Sequence, residues 1–454
     1  VDLRTYKPYE GAPEMKDQKD QRKKLGGYLP ARIRTSETLK VPELAEFSKY
    51  TGGSGEREQS STMVFVQMLS QLLKNKDLGK RVVPIVADEA RTFGMQSLFR
   101  QVAIYSPFGQ LYAPEDRDEL LYYKEAKNGQ ILEEGITEAG AISSWIAAAT
   151  SYSTHGKTML PFYIFYSCFG FQRIGDLVWT AGDSRARGFL LGATAGRTTL
   201  SGEGLQHEDG SSHLLFSTVP NCVAYDPTYG YEVVTIIQDG MKRMLEKQHD
   251  VFYYVTVMNE NYCHPSMPKD AEVGIIKGMY CLQTNKQSAT AHAQLLGSGT
   301  ILRETLAASE LLKSDWKVST DVWSVTSFTE LRRDGLCIDR ENMYNSNSPD
   351  KATWVEKCLG STIGPIIAST DYMRAVPDMI RTWVPRRYVT LGTDGYGRSD
   401  TRKSLRDFFE VDRFHITLAT LKALVAEGSI DKSVLSKALK KYGLKSDRPN
   451  PWDI

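Results

Sequence analysis

Leu160-Pro-Phe-Tyr-Ile-Phe-Tyr166 is a strand-length run with no charge and no alternation of polar and apolar positions. A run of that kind has no solvent face, so it reads as a strand buried on both sides of a sheet. Helical periodicity follows over 174–186, and Phe189-Leu-Leu-Gly-Ala193 is a second apolar strand. Strand, helix and strand in that order form a βαβ unit, whose crossover makes the two strands parallel.

The same alternation extends outward. Thr62-Met-Val-Phe-Val-Gln-Met-Leu-Ser-Gln-Leu-Leu-Lys74 carries apolar residues at helical spacing, and 82–87 is a short strand. Helices are predicted over 135–152 and 229–247, and strands over 221–225 and 251–257. Residues 260–290, with His264-Pro-Ser-Met-Pro268, hold few periodic signals. The alternation then restarts, with strands at 293–297, 321–326, 365–369 and 388–391 and helices at 301–312, 372–383 and 414–442. These signals predict an α/β fold of two doubly wound, mostly parallel sheets. The expected divisions are a linker arm at 1–40, one α/β domain at 41–265, a connection at 266–289 and a second α/β domain at 290–454. The arm is read from Pro8, Gly11, Pro13 and the mixed-charge run Lys16–Lys24.

Composition narrows the function classes. Fifty-six Lys and Arg nearly cancel 55 Asp and Glu, so no global field draws nucleic acid or anionic membrane. The apolar stretch 158–172 contains Pro161 and is too short to span a bilayer. Six scattered cysteines with no C-x-x-C pair fit a reducing, cytoplasmic setting. Val1 opens the sequence where an initiator Met would stand, which leads to the expectation that the chain is a fragment, a processed product or a partner of a second polypeptide.

Generic motifs fail. Phosphate-loop and nucleophile-elbow patterns do not occur, and Gly392-Thr-Asp-Gly-Tyr-Gly397 reads as a turn. His207 and His213, with Glu208 and Asp209 between, match no standard zinc spacing. Three features keep a functional reading beside a bland one. Glu138 opens an Ala-rich helix, where a carboxylate either complements the helix N-terminus or shares a proton with a ring nitrogen. The aromatics of 161–171 are either core or a platform for a flat heterocycle. His207 lies in the polar segment 202–210 between apolar strands, where doubly wound sheets bind ligands.

Several segments together resemble one family. They are Ala87-Asp-Glu-Ala-Arg-Thr-Phe-Gly94, Gly135-Ile-Thr-Glu138, the run Tyr163–Asp176, the run Gly196–Gly210, Gly297-Ser-Gly-Thr-Ile-Leu-Arg303, Val325-Thr-Ser-Phe-Thr-Glu-Leu331 and Gly392–Arg402. Their order and wording are similar to the homodimeric bacterial type of pyruvate dehydrogenase, a thiamine-diphosphate enzyme of the transketolase-like group. The resemblance implies a pyrimidine-binding domain followed by a C-terminal domain. It also implies that a preceding domain, with Gly-Asp-Gly, holds Mg²⁺ and the diphosphate; no Gly-Asp-Gly occurs here, so the isolated chain is expected to be inactive.

By resemblance, Glu138 matches the glutamate on the aminopyrimidine nitrogen, which promotes formation of the ylid. Phe169 and Tyr166 match aromatic walls of the pyrimidine site, and Glu89 a second acid near its amino group. His207 matches a histidine facing the reacting centre, and Glu203 a supporting acid behind it. The implied activity is oxidative decarboxylation of pyruvate, with the acetyl group passing to the lipoyl arm of dihydrolipoyl acetyltransferase. A homodimer is implied as well. The competing expectations are a non-catalytic module of the same fold and another transketolase-group thiamine enzyme.

Overall fold

The computed structural model describes residues 8–24, 27, 33–88, 90–115, 123–284 and 291–454. Among the described residues, the first part of the chain holds eight strands: β1 (Val82–Val86), β2 (Ile104–Tyr105), β3 (Glu125–Ala126), β4 (Leu132–Glu133), β5 (Leu160–Tyr166), β6 (Phe189–Ala193), β7 (Cys222–Tyr225) and β8 (Phe252–Val257). Six of them form one parallel sheet in the order β4-β1-β5-β6-β8-β7, while β2 and β3 pair separately.

Pleating explains why the central strands β5, β6 and β8 are almost entirely apolar. Phe162, Ile164, Leu191, Tyr253 and Val255 face one buried cluster, and Tyr163, Phe165, Leu190, Phe252 and Tyr254 face another. Period-two alternation thus divides each strand between two cores instead of between core and water. Phe162 stacks on Phe189 at 4.8 Å and 4°, while on the opposite face the indole N–H of Trp145 donates to Phe189 O at 3.0 Å. Burying each such aromatic stabilises the fold by about 1.5–3 kcal/mol.

A second sheet contains β9 (Met279–Thr284), β10 (Ala291–Gly297), β11 (Val318–Val325), β12 (Ile366–Ser369) and β13 (Tyr388–Leu391), ordered β13-β12-β10-β11-β9. It is parallel except for the antiparallel edge strand β9. One hydrophobic cluster continues from the first sheet into this one, joining Tyr231, Val255, Leu295, Val322 and Ile367. A polar junction sits beside it. Glu232, fully buried, accepts from Thr228 N, Tyr229 N, Tyr280 Oη and Ser324 Oγ at 2.6–2.9 Å.

Four sequence expectations are corrected. The presumed arm contains a helix, Pro13–Lys24. Proline suits the first helical position, Glu14 sits in the first turn and Arg22, Lys23 and Lys24 sit in the last, so the mixed charges complement the helix dipole. The presumed connection 266–289 contains the helix Ala271–Lys277, ended by Gly278 at φ 103°, and then β9. Elements this short give little periodic signal. Residues 372–383 are two short turns, Ala375–Asp378 and Arg381–Trp383, because Pro377 interrupts a continuous helix. The predicted helix at 414–442 is two, Arg413–Ala426 and Ser433–Tyr442, separated at Gly428 (φ 72°). The amphipathic helix Phe328–Met343 is additional; its dense charges obscure a face that buries Phe328, Leu331 and Gly335.

Among the described residues, no helix is long and apolar enough to cross a membrane.

Candidate functional site

At the carboxyl ends of β1 and β5 the backbone turns away from the sheet, which is where open α/β folds leave room for a ligand. A cleft of about 270 Å³ opens there, lined by Ala87, Phe93, Glu138, Tyr166, Phe169 and His207 among others. Three local features build it. Thr137 caps the helix Glu138–Ala149 by accepting from Gly140 N, which places Glu138 in the first turn. Tyr166 ends β5, and the helix Ser167–Asp183 starts at the next residue, so Phe169 projects from its first turn. The short turn Leu205–His207 brings in the histidine from the loop after β6.

His207 lies against two aromatic walls, with ring centroids 4.6 Å from Tyr166 and 4.8 Å from Phe169. Its Nδ1 is buried and has no hydrogen-bond partner. A buried ring nitrogen without a partner costs free energy unless a ligand satisfies it, so it marks a position for a polar group. Phe93, which also lines the cleft, packs on Tyr166 with ring centroids 5.2 Å apart.

Glu138 is half-buried and ion-paired, rather than a lone acid in an apolar pocket. Arg173 Nη1 donates to its Oε1 at 2.5 Å, and the Arg173 guanidinium carbon lies 4.1 Å from the Phe169 centroid. One face of Phe169 is therefore already covered by a cation. Arg173 was not among the residues proposed from the sequence. The available signal was its i,i+4 spacing from Phe169, which puts both on one helix face. Gln206, Ile136 and Asp88 also line the cleft and were not anticipated.

The structure brings Glu138, Tyr166, Phe169 and His207 to one cleft. Glu89 lies outside the described residues. Glu203 does not line the cleft; it is half-buried and interacts electrostatically with Glu208 and Arg402. The two histidines whose spacing matches no zinc pattern have separate surroundings. His213 is buried at the junction of the sheets, with Nε2 3.0 Å from Thr256 Oγ1, and burial lowers its pKa to about 4. Behind His207, Glu208 is buried with neither carboxylate oxygen hydrogen-bonded. Burial, followed by the charges of Asp371 and Glu203, raises its pKa to about 9.

The donor set fits a flat, nitrogen-bearing heterocycle: an acid for a ring nitrogen, aromatic walls, and an unpartnered imidazole nitrogen. A metal is a poor fit to the cleft. Among the described residues, the one cluster with metal-ligand spacing is Asp407, Asp412 and His415. These groups already serve other bonds, since Asp412 caps the helix Arg413–Ala426 and accepts from His415, and Asp407 pairs with Arg448 at 2.9 Å.

Residues 39–265 match the pyruvate dehydrogenase E1 component middle domain, and residues 278–412 match the transketolase-like TK C-terminal domain. The chain is 60% identical over 449 residues to a pyruvate dehydrogenase E1 component of Pseudomonas aeruginosa, covering 99% of this chain and 51% of that protein. It is 52% identical over 445 residues to the one of Escherichia coli K12, covering 97% of this chain and 50% of that protein. The chain thus spans about half the length of these curated relatives. Among solved structures, a transketolase of Pichia stipitis superimposes with TM-score 0.62 at 13% identity, covering 86% of this chain and 50% of that one. A split-gene transketolase, described as an inactive β4 tetramer, gives TM-score 0.54 at 13% identity, with 81% and 98% covered. At these identities the solved structures establish the fold alone.

Proposed function

The chain belongs to the pyruvate dehydrogenase E1 component family, a family of thiamine-diphosphate enzymes, and we propose that it supplies the pyrimidine half of a site for oxidative decarboxylation of pyruvate. The observation that carries this reading is the convergence of Glu138, Phe169, Tyr166 and the unpartnered Nδ1 of His207 on one cleft. The diphosphate and Mg²⁺ would be held by a domain of the kind that the other half of the relatives' length accommodates. When bound, thiamine diphosphate supplies the nucleophilic carbon and takes up the electron pair released on decarboxylation.

This chain's residues do the remaining work. Glu138 holds a proton against a pyrimidine ring nitrogen, and Arg173 fixes its carboxylate. Phe169 and Tyr166, set edge to face, form adjoining walls against which the ring packs and which exclude water. The imidazole of His207 moves a proton at the carbonyl oxygen of the substrate. The acetyl group would leave on the lipoyl arm of dihydrolipoyl acetyltransferase. A homodimeric enzyme and a cytoplasmic setting are part of the same reading, and the six free cysteines support the latter.

A second reading is an enzyme divided between two polypeptides. The chain covers about half the length of its curated relatives, as either reading requires. Copurification of a second chain bearing Gly-Asp-Gly would separate the two readings.

Calorimetry with thiamine diphosphate and Mg²⁺ tests the site, using this chain joined to a diphosphate-binding half in cis or in trans. Binding and pyruvate decarboxylation that both depend on Glu138 are expected. Tight binding by the chain alone, unaffected by Glu138→Gln, would refute the assignment.

A further inference from the structure

The loop that carries His207 leaves the first sheet after β6 and is held mainly by the second α/β unit. Asp371, fully buried just beyond β12, accepts at Oδ1 from Thr198 N at 2.9 Å and Thr198 Oγ1 at 2.6 Å. Its Oδ2 accepts from Thr199 Oγ1 at 2.6 Å, and that hydroxyl also lies 2.5 Å from Thr300 Oγ1. Arg197 donates to Thr393 O at 2.6 Å and to Gly395 O, and Gly202 N donates to Asp400 O at 3.0 Å. Arg402 Nε donates to Thr199 O at 2.5 Å, and Met373 N to Gly210 O at 2.9 Å. Donors and acceptors from the second unit thus hold the loop at 197–202 and again at 210.

Between those anchors, Gly397 meets the residues on either side of His207. A Cβ added there would lie 2.7 Å from Leu205 O and 2.5 Å from Glu208 Cβ. Neither atom is the free end of a flexible side chain. Gly397, in the segment that reads as a turn from sequence alone, therefore packs directly against the backbone that carries the histidine. The His207 ring itself lies against Tyr166 and Phe169.

We propose that the second α/β unit acts as a positioning element for His207, with Asp371 and Gly397 as positioning residues that set where its imidazole stands in the cleft. The catalytic part of this statement rests on the role given to His207 above; the geometric part does not. Restoring ordinary contact at Gly397→Ala requires the 205–208 segment and Gly397 to part by roughly 1 Å, since carbon atoms settle about 3.5 Å apart or beyond and Glu208 Cβ would lie at 2.5 Å. A displacement on the order of 1 Å at a reacting group costs about 100-fold in rate.

Two measurements test the proposal. The first is ¹³C NMR of the chain with labelled histidine, in which the seven histidines give few signals and His207→Gln identifies its own. Gly397→Ala is expected to shift the His207 signal and leave those of His155, His249 and His292 in place. An unmoved His207 signal in a folded variant would overturn the proposal. Should Gly397→Ala fold poorly, Thr199→Val removes the hydroxyl on Asp371 and Thr300 and is expected to shift the same signal, with recovery in Thr199→Ser. Equal shifts in Thr199→Val and Thr199→Ser would also overturn it.

The second measurement is a double-mutant cycle on decarboxylation by the assembled enzyme. Gly397→Ala is expected to lower kcat by about 10- to 100-fold with little change in cofactor affinity, and to have no further effect in a His207→Gln background. A shifted signal with full activity would support the geometric proposal and refute the role of His207. Additive losses would show that Gly397 acts elsewhere and would overturn the proposal.

Discussion

Replacing Glu138 by Gln separates the two roles that a carboxylate at this position can play. As a structural charge it favours the first turn of its helix and pairs with Arg173 at 2.5 Å. The side chain of Arg173 is 49% exposed, so solvent screens the pair to at most about 1 kcal/mol. The helix-dipole contribution is of similar size, about 0.3–1 kcal/mol. Glutamine keeps an oxygen to accept from Arg173, so the loss of stability should remain near 1 kcal/mol. That corresponds to a fall in Tm of no more than about 4 °C.

As a proton-sharing group, Glu138 contributes an expected 10²- to 10⁴-fold to activation of the bound cofactor, or about 3–5 kcal/mol of barrier. The functional effect therefore exceeds the structural one several-fold. The assay is hydrogen–deuterium exchange at the reactive carbon of thiamine diphosphate on the assembled enzyme, followed by NMR, with scanning calorimetry of the same variant. A more than 100-fold slower exchange with a nearly unchanged Tm is expected. Exchange within about threefold of the parent would refute the proton-sharing role. A fall in Tm on the order of 10 °C would mean that Glu138 serves chiefly to hold its helix.

Other outcomes follow from the same geometry. Burial raises the pKa of Glu208 to about 9; the folded chain then retains a proton that the unfolded chain releases near pH 4.5. Its contribution makes stability decline as pH rises from about 4.5 to about 9, by up to about 1.4 kcal/mol per unit. Glu208→Gln should flatten that slope in urea titrations at pH 6 and 8, and an unchanged slope would refute the burial argument. Phe169→Ala removes the face that Arg173 covers and one wall of the cleft. It should weaken thiamine diphosphate binding about tenfold by calorimetry, in line with about 0.5–1.5 kcal/mol for an aromatic contact; unchanged affinity would exclude Phe169 from the site. Gly335→Ala would drive a methyl group into the Trp383 indole, in the second unit and among residues that do not line the cleft. A loss of about 1–3 kcal/mol in denaturant unfolding is expected, without loss of cofactor affinity.

The longer strands were legible because they are buried on both faces, and 160–166 and 189–193, apolar at nearly every position, can hardly be read otherwise. The two-residue strands β2, β3 and β4 and the edge strand β9 were not. Elements stabilised by few residues or by charge were not legible. Pro13–Lys24 buries nothing, and Ala271–Lys277 spans only two turns. The site divides in the same way. Glu138, Tyr166, Phe169 and His207 stood out through the wording of their segments. Arg173 did not, because its partners are a carboxylate 35 residues away in sequence and a ring on its own helix. Glu203, expected as a supporting acid behind His207, lies off the cleft and acts electrostatically on Glu208, a placement that sequence proximity alone does not give. The anchoring of the His207 loop by Asp371 crosses 172–173 residues and leaves no local trace.

Glu232 gives the pairing of the two units a chemical address. Its carboxylate is covered by hydroxyls from Tyr280 and Ser324, which belong to the second sheet. A C-terminal unit grafted from a relative would have to present both hydroxyls in the same register. One that presented Phe and Ala would leave Oε1 of Glu232 buried without a donor, and each lost charge-assisted bond costs about 1.5–3 kcal/mol. Compatibility between the two halves of such a chimera is thus checked at one buried oxygen, before any cofactor is bound.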